Sequence, residues 1–74
     1  MKQKETVYYE SSTINYAQYD FRTNSLIITF HSGASYLYQN VNVETYSKFA
    51  EAESQGKALN EHIKNKSITA VKLT

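Results

Sequence analysis

Apolar and polar positions alternate most clearly through the middle of the chain. Leu26, Ile28 and Phe30 interleave with Ile27, Thr29 and His31, and Tyr36 and Tyr38 interleave with Ser35, Leu37 and Gln39. A period of two, built from β-branched and aromatic residues, predicts two half-buried strands. The link between them decides the register. A three-residue loop of His31, Ser32 and Gly33 puts glycine in the left-handed position that closes such a loop, where a Cβ would clash. Phe30 then faces Ala34, Ile28 faces Tyr36 and Leu26 faces Tyr38, with all six side chains on one side. A two-residue Ser32-Gly33 loop would pair Ile28 with Leu37 and turn both tyrosines to the other face. The three-residue loop is preferred because it gathers the large residues on one face.

Before this hairpin, residues 1–10 are expected to be extended or frayed, with 1–6 frayed and Val7-Tyr8-Tyr9 extended along the sheet edge. Thr13 to Tyr19 reads as a first strand whose imperfect alternation allows a bulge and leaves its inward face unassigned. Asp20 to Ser25 is a turn, since Asp20 and Asn24 side chains bond nearby backbone. After the hairpin the period changes. Asn42 predicts a helix N-cap, Glu44 suits the helix N-terminus, and Val43, Tyr46, Phe49 and Ala50 form an apolar stripe. Gly56 is expected to end this helix as a left-handed cap. A second helix, from about Lys57 to Lys64, presents Leu59 and Ile63. Residues 67–74 form a last extended segment that either adds a fourth strand or covers the open sheet face.

The fold class is therefore α+β: a three-stranded antiparallel meander, then two short helices packed on one sheet face. Ile27 and Leu37 fall on the other face and need a cover, either the C-terminal segment or a second copy. They are the candidate interface residues.

Seventy-four residues make one small domain, which buries only ~60% of its unfolded surface. The core should supply ~3–5 kcal/mol. Without cysteine there is neither disulfide nor thiolate metal site, which suits a reducing, cytoplasmic setting. The start of the chain shows no signal peptide, and no window approaches the ~20 apolar residues of a membrane span. Net charge is only +1. Residues 43–54 carry three glutamates against one lysine, whereas 55–74 carry four lysines against one glutamate. That basic third can meet phosphates or simply be a solvated surface.

Catalysis finds little support. His31 and His62 are the only histidines and Asp20 the only aspartate. His62 with Glu61 and Glu53 makes a poor metal site, and neither glycine sits in a phosphate loop. No cofactor is expected. The candidate binding residues are Tyr36, Tyr38, Arg22, Lys57, Asn60, Lys64 and Lys66. The tyrosines are either stacking platforms for unpaired bases or packing residues under the helices, and the register favours packing. The cations either grip phosphates or serve solubility. Asn60 is expected to bond the Ser54-Gln55-Gly56 turn rather than a ligand. His31, at the loop tip, can touch a ligand or be solvated.

Several ordered motifs resemble the KTSC domain, a family named for a lysyl-tRNA synthetase C-terminal extension that also occurs as free-standing small bacterial and phage proteins. Ser11, Ser12 and Ile14 match its Ser-Ser-x-Ile start, and Tyr19-Asp20 its turn. Leu26, Ile28, Phe30 and Gly33 match the second strand and loop, and Tyr36 and Tyr38 the Tyr-x-Tyr pair. Tyr46 matches an aromatic of the first helix. Ala52, Ser54 and Gly56 match the helix break, and Asn60, Ile63 and Lys64 the second helix. The resemblance spans 11–66. It departs at Asn42, where proline is usual, at Ala58-Leu59, where Tyr-Phe is usual, and after Lys66, where the aromatic-rich ending is missing. The resemblance implies RNA binding through the synthetase context. The expected function is a non-catalytic binding module for RNA or single-stranded nucleic acid. The alternative is a protein–protein adaptor or homodimer, including a phage-encoded modulator of a host protein.

Overall fold

The computed structural model describes residues 3–64 and 70–73. Five strands, β1 (Lys4–Tyr8), β2 (Ile14–Asp20), β3 (Ser25–Phe30), β4 (Ser35–Tyr38) and β5 (Ala70–Lys72), form one antiparallel sheet in sequence order. Between β4 and β5 come α1 (Val43–Ala50), α2 (Gln55–Ala58) and α3 (Leu59–Lys64), the last a wider π-type continuation of α2.

The hairpin forms as its alternation requires. Gly33 takes φ +98°, its N–H donates to Phe30 O at 2.9 Å, and Phe30 N–H donates to Ala34 O at 2.9 Å. Leu26 pairs with Tyr38 and Ile28 with Tyr36. The helices cover this side. Leu26, Ile28 and Tyr38 are buried with Ala17 and Tyr19 of β2, against Tyr46 and Phe49 of α1 and Ala58, Leu59 and Ile63 beyond.

β2 breaks its alternation with a register shift between Ile14 and Tyr16. The shift puts Ile14, Ala17 and Tyr19 all in the core and leaves Tyr16 on the opposite side. A bulge changes side-chain parity in this way.

Several expectations are corrected. The polar N-terminus is not frayed from residue 4 onward: Lys4 to Tyr8 pairs with Tyr16 to Asp20 of β2. Its Glu5 carboxylate accepts a hydrogen bond from the Tyr46 hydroxyl, which gives a charged residue a partner on the inner face. The sheet therefore has five strands, not three with an optional fourth. Ala70–Lys72 supplies the C-terminal strand, pairing with β4; the rest of the 67–74 segment, apart from Leu73, lies outside the described residues. Gly56 is not a left-handed cap. α1 ends at Ala50 with Glu51 as its cap, and Ser54 starts a new helix by accepting from Lys57 N–H at 3.4 Å. Val43 is 49% exposed; Val41, in the link before α1, fills the core instead.

An aromatic layer joins sheet and helices. Tyr19 and Tyr46 stack with ring centroids 4.1 Å apart, and Phe21 meets Tyr19 edge-on at 4.8 Å. The Tyr19 hydroxyl donates to Val41 O at 2.6 Å. That bond ties the strand to the β4–α1 link, while Asn24, at φ +56°, accepts from Val41 N–H at 2.9 Å.

Candidate functional site

Strand pairing defines the side of the sheet that no helix of the described residues covers. One row across it runs Thr6, Gln18, Ile27, Leu37 and Val71, since these residues are register partners from β1 to β5. The next runs Tyr8, Tyr16, Thr29 and Ser35, and Leu73 extends it by donating its N–H to Ser35 O at 2.8 Å. The third pairs Lys4 with Asp20 and Asp20 with Ser25 at one end. Side chains alternate between faces along a strand, so these rows share the open side.

Apolar groups are exposed on that side. Tyr8 is 72%, Leu73 46% and Val71 42% exposed, and Ile27 and Leu37 are half-buried. The Tyr8 ring lies 5.1 Å from that of Tyr16. Polar groups on the face are partly spoken for within it. Thr29 and Ser35 hydroxyls bond each other at 2.9 Å. Asp20 accepts the Arg22 amide at 2.9 Å and stands 3.7 Å from its Nε; the amide bond first, and then the guanidinium, hold this carboxyl below the usual range. A shallow hollow of about 270 Å³ lies over the β1–β3 end, lined by Lys4, Thr6, Gln18, Asp20, Ser25 and Ile27 among others.

Among the described residues, the candidates read from the sequence do not gather at one place. Tyr38 is buried, 3% exposed, so its ring is no stacking platform. Burial first, then neighbouring Tyr36, raises its pKa. Tyr36 is half-buried between Phe30, at 5.8 Å, and Tyr38, at 6.5 Å. Both stand on the helix side, as the three-residue loop requires. Arg22 lies in the β2–β3 turn. Lys57 lies in α2, beside Gly56, whose Cα faces Thr13 at the far end of β2. A seven-residue strand separates them, or ~20 Å. Lys57 shares its own surface hollow with Glu53 and Glu61. Lys64 closes α3, and Lys66 lies outside the described residues.

Asn60 is exposed. Gln55, donating from Nε2 to Ala52 O at 2.6 Å, and Ser54 hold the turn that Asn60 was expected to hold. His31 is placed by its Nε2, 2.8 Å from Ser11 O, so its loop is tied to the β1–β2 link. Ser11 Oγ in turn accepts from Thr13 and Ile14 N–H at 3.1 and 3.2 Å. No group of three or more His, Asp or Glu side chains positioned to hold a metal occurs among the described residues.

Sequence reasoning named Ile27 and Leu37 for the open face but missed Tyr8, Tyr16, Val71 and Leu73. The signal for Tyr16 was present in the broken alternation of β2, which only the bulge resolves.

Comparison with known proteins places this architecture. The KTSC domain model matches residues 10–66. The chain belongs to the KTSC domain family. Its fold is similar to that of the KTSC domain protein YPO2434 from Yersinia pestis. That crystal structure superposes with a TM-score of 0.86 at 25% identity, covering 96% of this chain and 99% of the other. No curated protein matches the chain. The KTSC match ends at residue 66, so β5, with Val71 and Leu73, lies beyond it. No helix among the described residues is long and apolar enough to cross a membrane.

Proposed function

We propose that this KTSC domain is a non-catalytic binding module, acting in the cytoplasm, whose open sheet face docks a protein partner. The observation that carries the reading is the make-up of that face. Ile27, Leu37 and Val71 form an aliphatic row across three adjacent strands, with exposed Tyr8 and Leu73 at opposite corners of the neighbouring row. Clustered apolar exposure rimmed by polar residues is the usual mark of a protein-docking surface. The Thr29–Ser35 bond lets the centre lose water without orphaning those hydroxyls.

Single-stranded nucleic acid is a second reading, favoured by one observation. The exposed Tyr8 ring beside Tyr16, with Lys4 on the same face, is a surface on which a base can stack. Phosphate binding also needs converging cations. Arg22 and Lys57 stand at opposite ends of β2, and Lys4 is opposed by Asp20, so protein docking is the better-supported reading.

A photo-crosslinking side chain placed at Leu37, compared with one at Lys48 on α1, tests this in cells. Position 37 is expected to give a discrete protein adduct that disappears with Val71→Asp, and position 48 none. Labelled single-stranded RNA titrated at low and high salt is expected to show no binding. Equal labelling from both positions, with salt-sensitive RNA binding that Tyr8→Ala and Lys4→Gln remove, would overturn the reading.

A further inference from the structure

We propose that the partner on the open face is a second copy of this chain, with the two sheets packed face to face about a two-fold axis running along β3. The proposal rests on the protein-docking reading above and names its occupant.

Charge is the first argument. Identical surfaces set each charge against its own kind unless the charges lie away from the middle. The two rows that cross the centre of this face carry no charged side chain. Lys4 and Asp20 are register partners at one end, away from the centre, and Asp20 is held by Arg22. The central rows of two copies therefore meet without like charges facing one another.

Shape is the second. With the axis along β3, β1 of one copy lies over β5 of the other, β2 over β4, and β3 over itself. Val71 and Leu37 of one copy then come down on Thr6 and Gln18 of the second, at the edge of its 270 Å³ hollow. Tyr8 meets Leu73, and Ile27 meets its own counterpart on the axis. The protruding aliphatic end of each face fills the recessed end of the other. Aligned packing of two sheets across an apolar layer is a common arrangement.

Area is the third. Two side-chain rows across five strands at ~4.8 Å spacing, and a third row across β1–β3, with rows ~7 Å apart, make a face of roughly 440 Å². Two such faces together remove about 900 Å², just under the lower limit for a stable specific interface and within the range of weak, transient ones. The pairing is therefore weak and concentration-dependent. A small domain with no disulfide gains most from such added burial.

The absence of cysteine from the chain makes the test clean, because a single introduced cysteine can form a disulfide only between copies. Oxidation of the full chain carrying Ile27→Cys is expected to give a covalent dimer at least tenfold faster than Lys48→Cys at equal concentration. Sedimentation of the unaltered chain is expected to show a mass rising toward twofold between about 1 μM and 1 mM, the range open to a minimal interface. Leu37→Asp, folded by circular dichroism, is expected to stay monomeric. Should Ile27→Cys fold poorly, an equimolar mixture of Thr6→Cys and Val71→Cys, both at exposed positions, must crosslink faster than either alone. A monomer over the whole range, or a dimer lacking these crosslinks, overturns the pairing. If the crosslinker at Leu37 still captures another protein in cells, the docking reading survives that failure; if it captures nothing, both fall.

Discussion

Ile27 and Ile28 are neighbours in one strand, identical in chemistry, and placed on opposite sides of one sheet. Ile28 is fully buried beneath the helices with Leu26, Tyr19 and Phe49. Ile27 is half-buried in a row that no element of the described chain covers. The covered face is closed by aromatic stacking and by hydroxyl bonds, from Tyr19 of β2 to Val41 in the β4–α1 link and from Tyr46 of α1 to Glu5 of β1. The open face carries the aliphatic row Ile27, Leu37 and Val71 with exposed Tyr8 and Leu73, among polar residues and without a second layer. The difference teaches that the fold uses one side of its sheet for its own stability, while the other side, uncovered among the described residues, is the one the proposed docking would use.

The comparison breaks first on the covered side. Phe49 is fully buried and meets Tyr9 edge-on at 5.7 Å. Phe49→Ala is expected to cost about 3–5 kcal/mol, which matches the ~3–5 kcal/mol a core of this size supplies. Circular dichroism should therefore find the variant largely unfolded at 25 °C; a native spectrum with an unchanged melting temperature would mean the helix layer does not hold the sheet.

A smaller loss is expected from Tyr46→Phe, which removes the bond between the α1 hydroxyl and the Glu5 carboxylate of β1. Hydrogen bonds to charged groups contribute about 1.5–3 kcal/mol. Denaturant titration should show a loss of that order, and amide exchange should rise chiefly in β1. Uniform exchange across the sheet would show that the bond does not fasten the edge strand.

Alkaline pH acts on the same face. Burial, and then Glu5, push the Tyr9 phenol up to about 12. Burial and the bond to Glu5 raise Tyr46 further. Both groups stay neutral in the folded chain at a pH where the unfolded chain has begun to ionise, near 10. The unfolded state then binds fewer protons, so stability is fully present below pH ~10 and falls as pH rises toward the folded values. Urea midpoints between pH 8 and 11 should follow that course, and Tyr9→Phe should flatten it.

How much of this was legible in the sequence differs between the two faces. The covered face was readable because Gly33 fixes the hairpin register, and the register alone sends Tyr36 and Tyr38 beneath the helices. The N-cap at Asn42 was readable for a similar local reason, since its Oδ1 accepts Thr45 N–H at 2.8 Å. The break between helices was misplaced. Gly56 looks like a terminator, but Ser54 had already begun the next helix two residues earlier. β1 was hidden because its charged residues are satisfied only by tertiary partners such as Tyr46. The open face was half legible. Alternation gave Ile27 and Leu37, whereas Tyr16 needed the bulge, and Val71 and Leu73 needed a strand pairing of long sequence separation. The cationic candidates were named by charge alone, and charge does not show that Arg22 and Lys57 stand at opposite ends of β2.

The most direct test of two faces with two roles is a paired unfolding measurement on Ile28→Ala and Ile27→Ala, at a concentration low enough to keep the chain monomeric. A loss of about 2–5 kcal/mol is expected for Ile28→Ala and less than about 1 kcal/mol for Ile27→Ala. Equal losses from the two neighbours would contradict two separate roles, because the open side would then be part of the core that holds the monomer together.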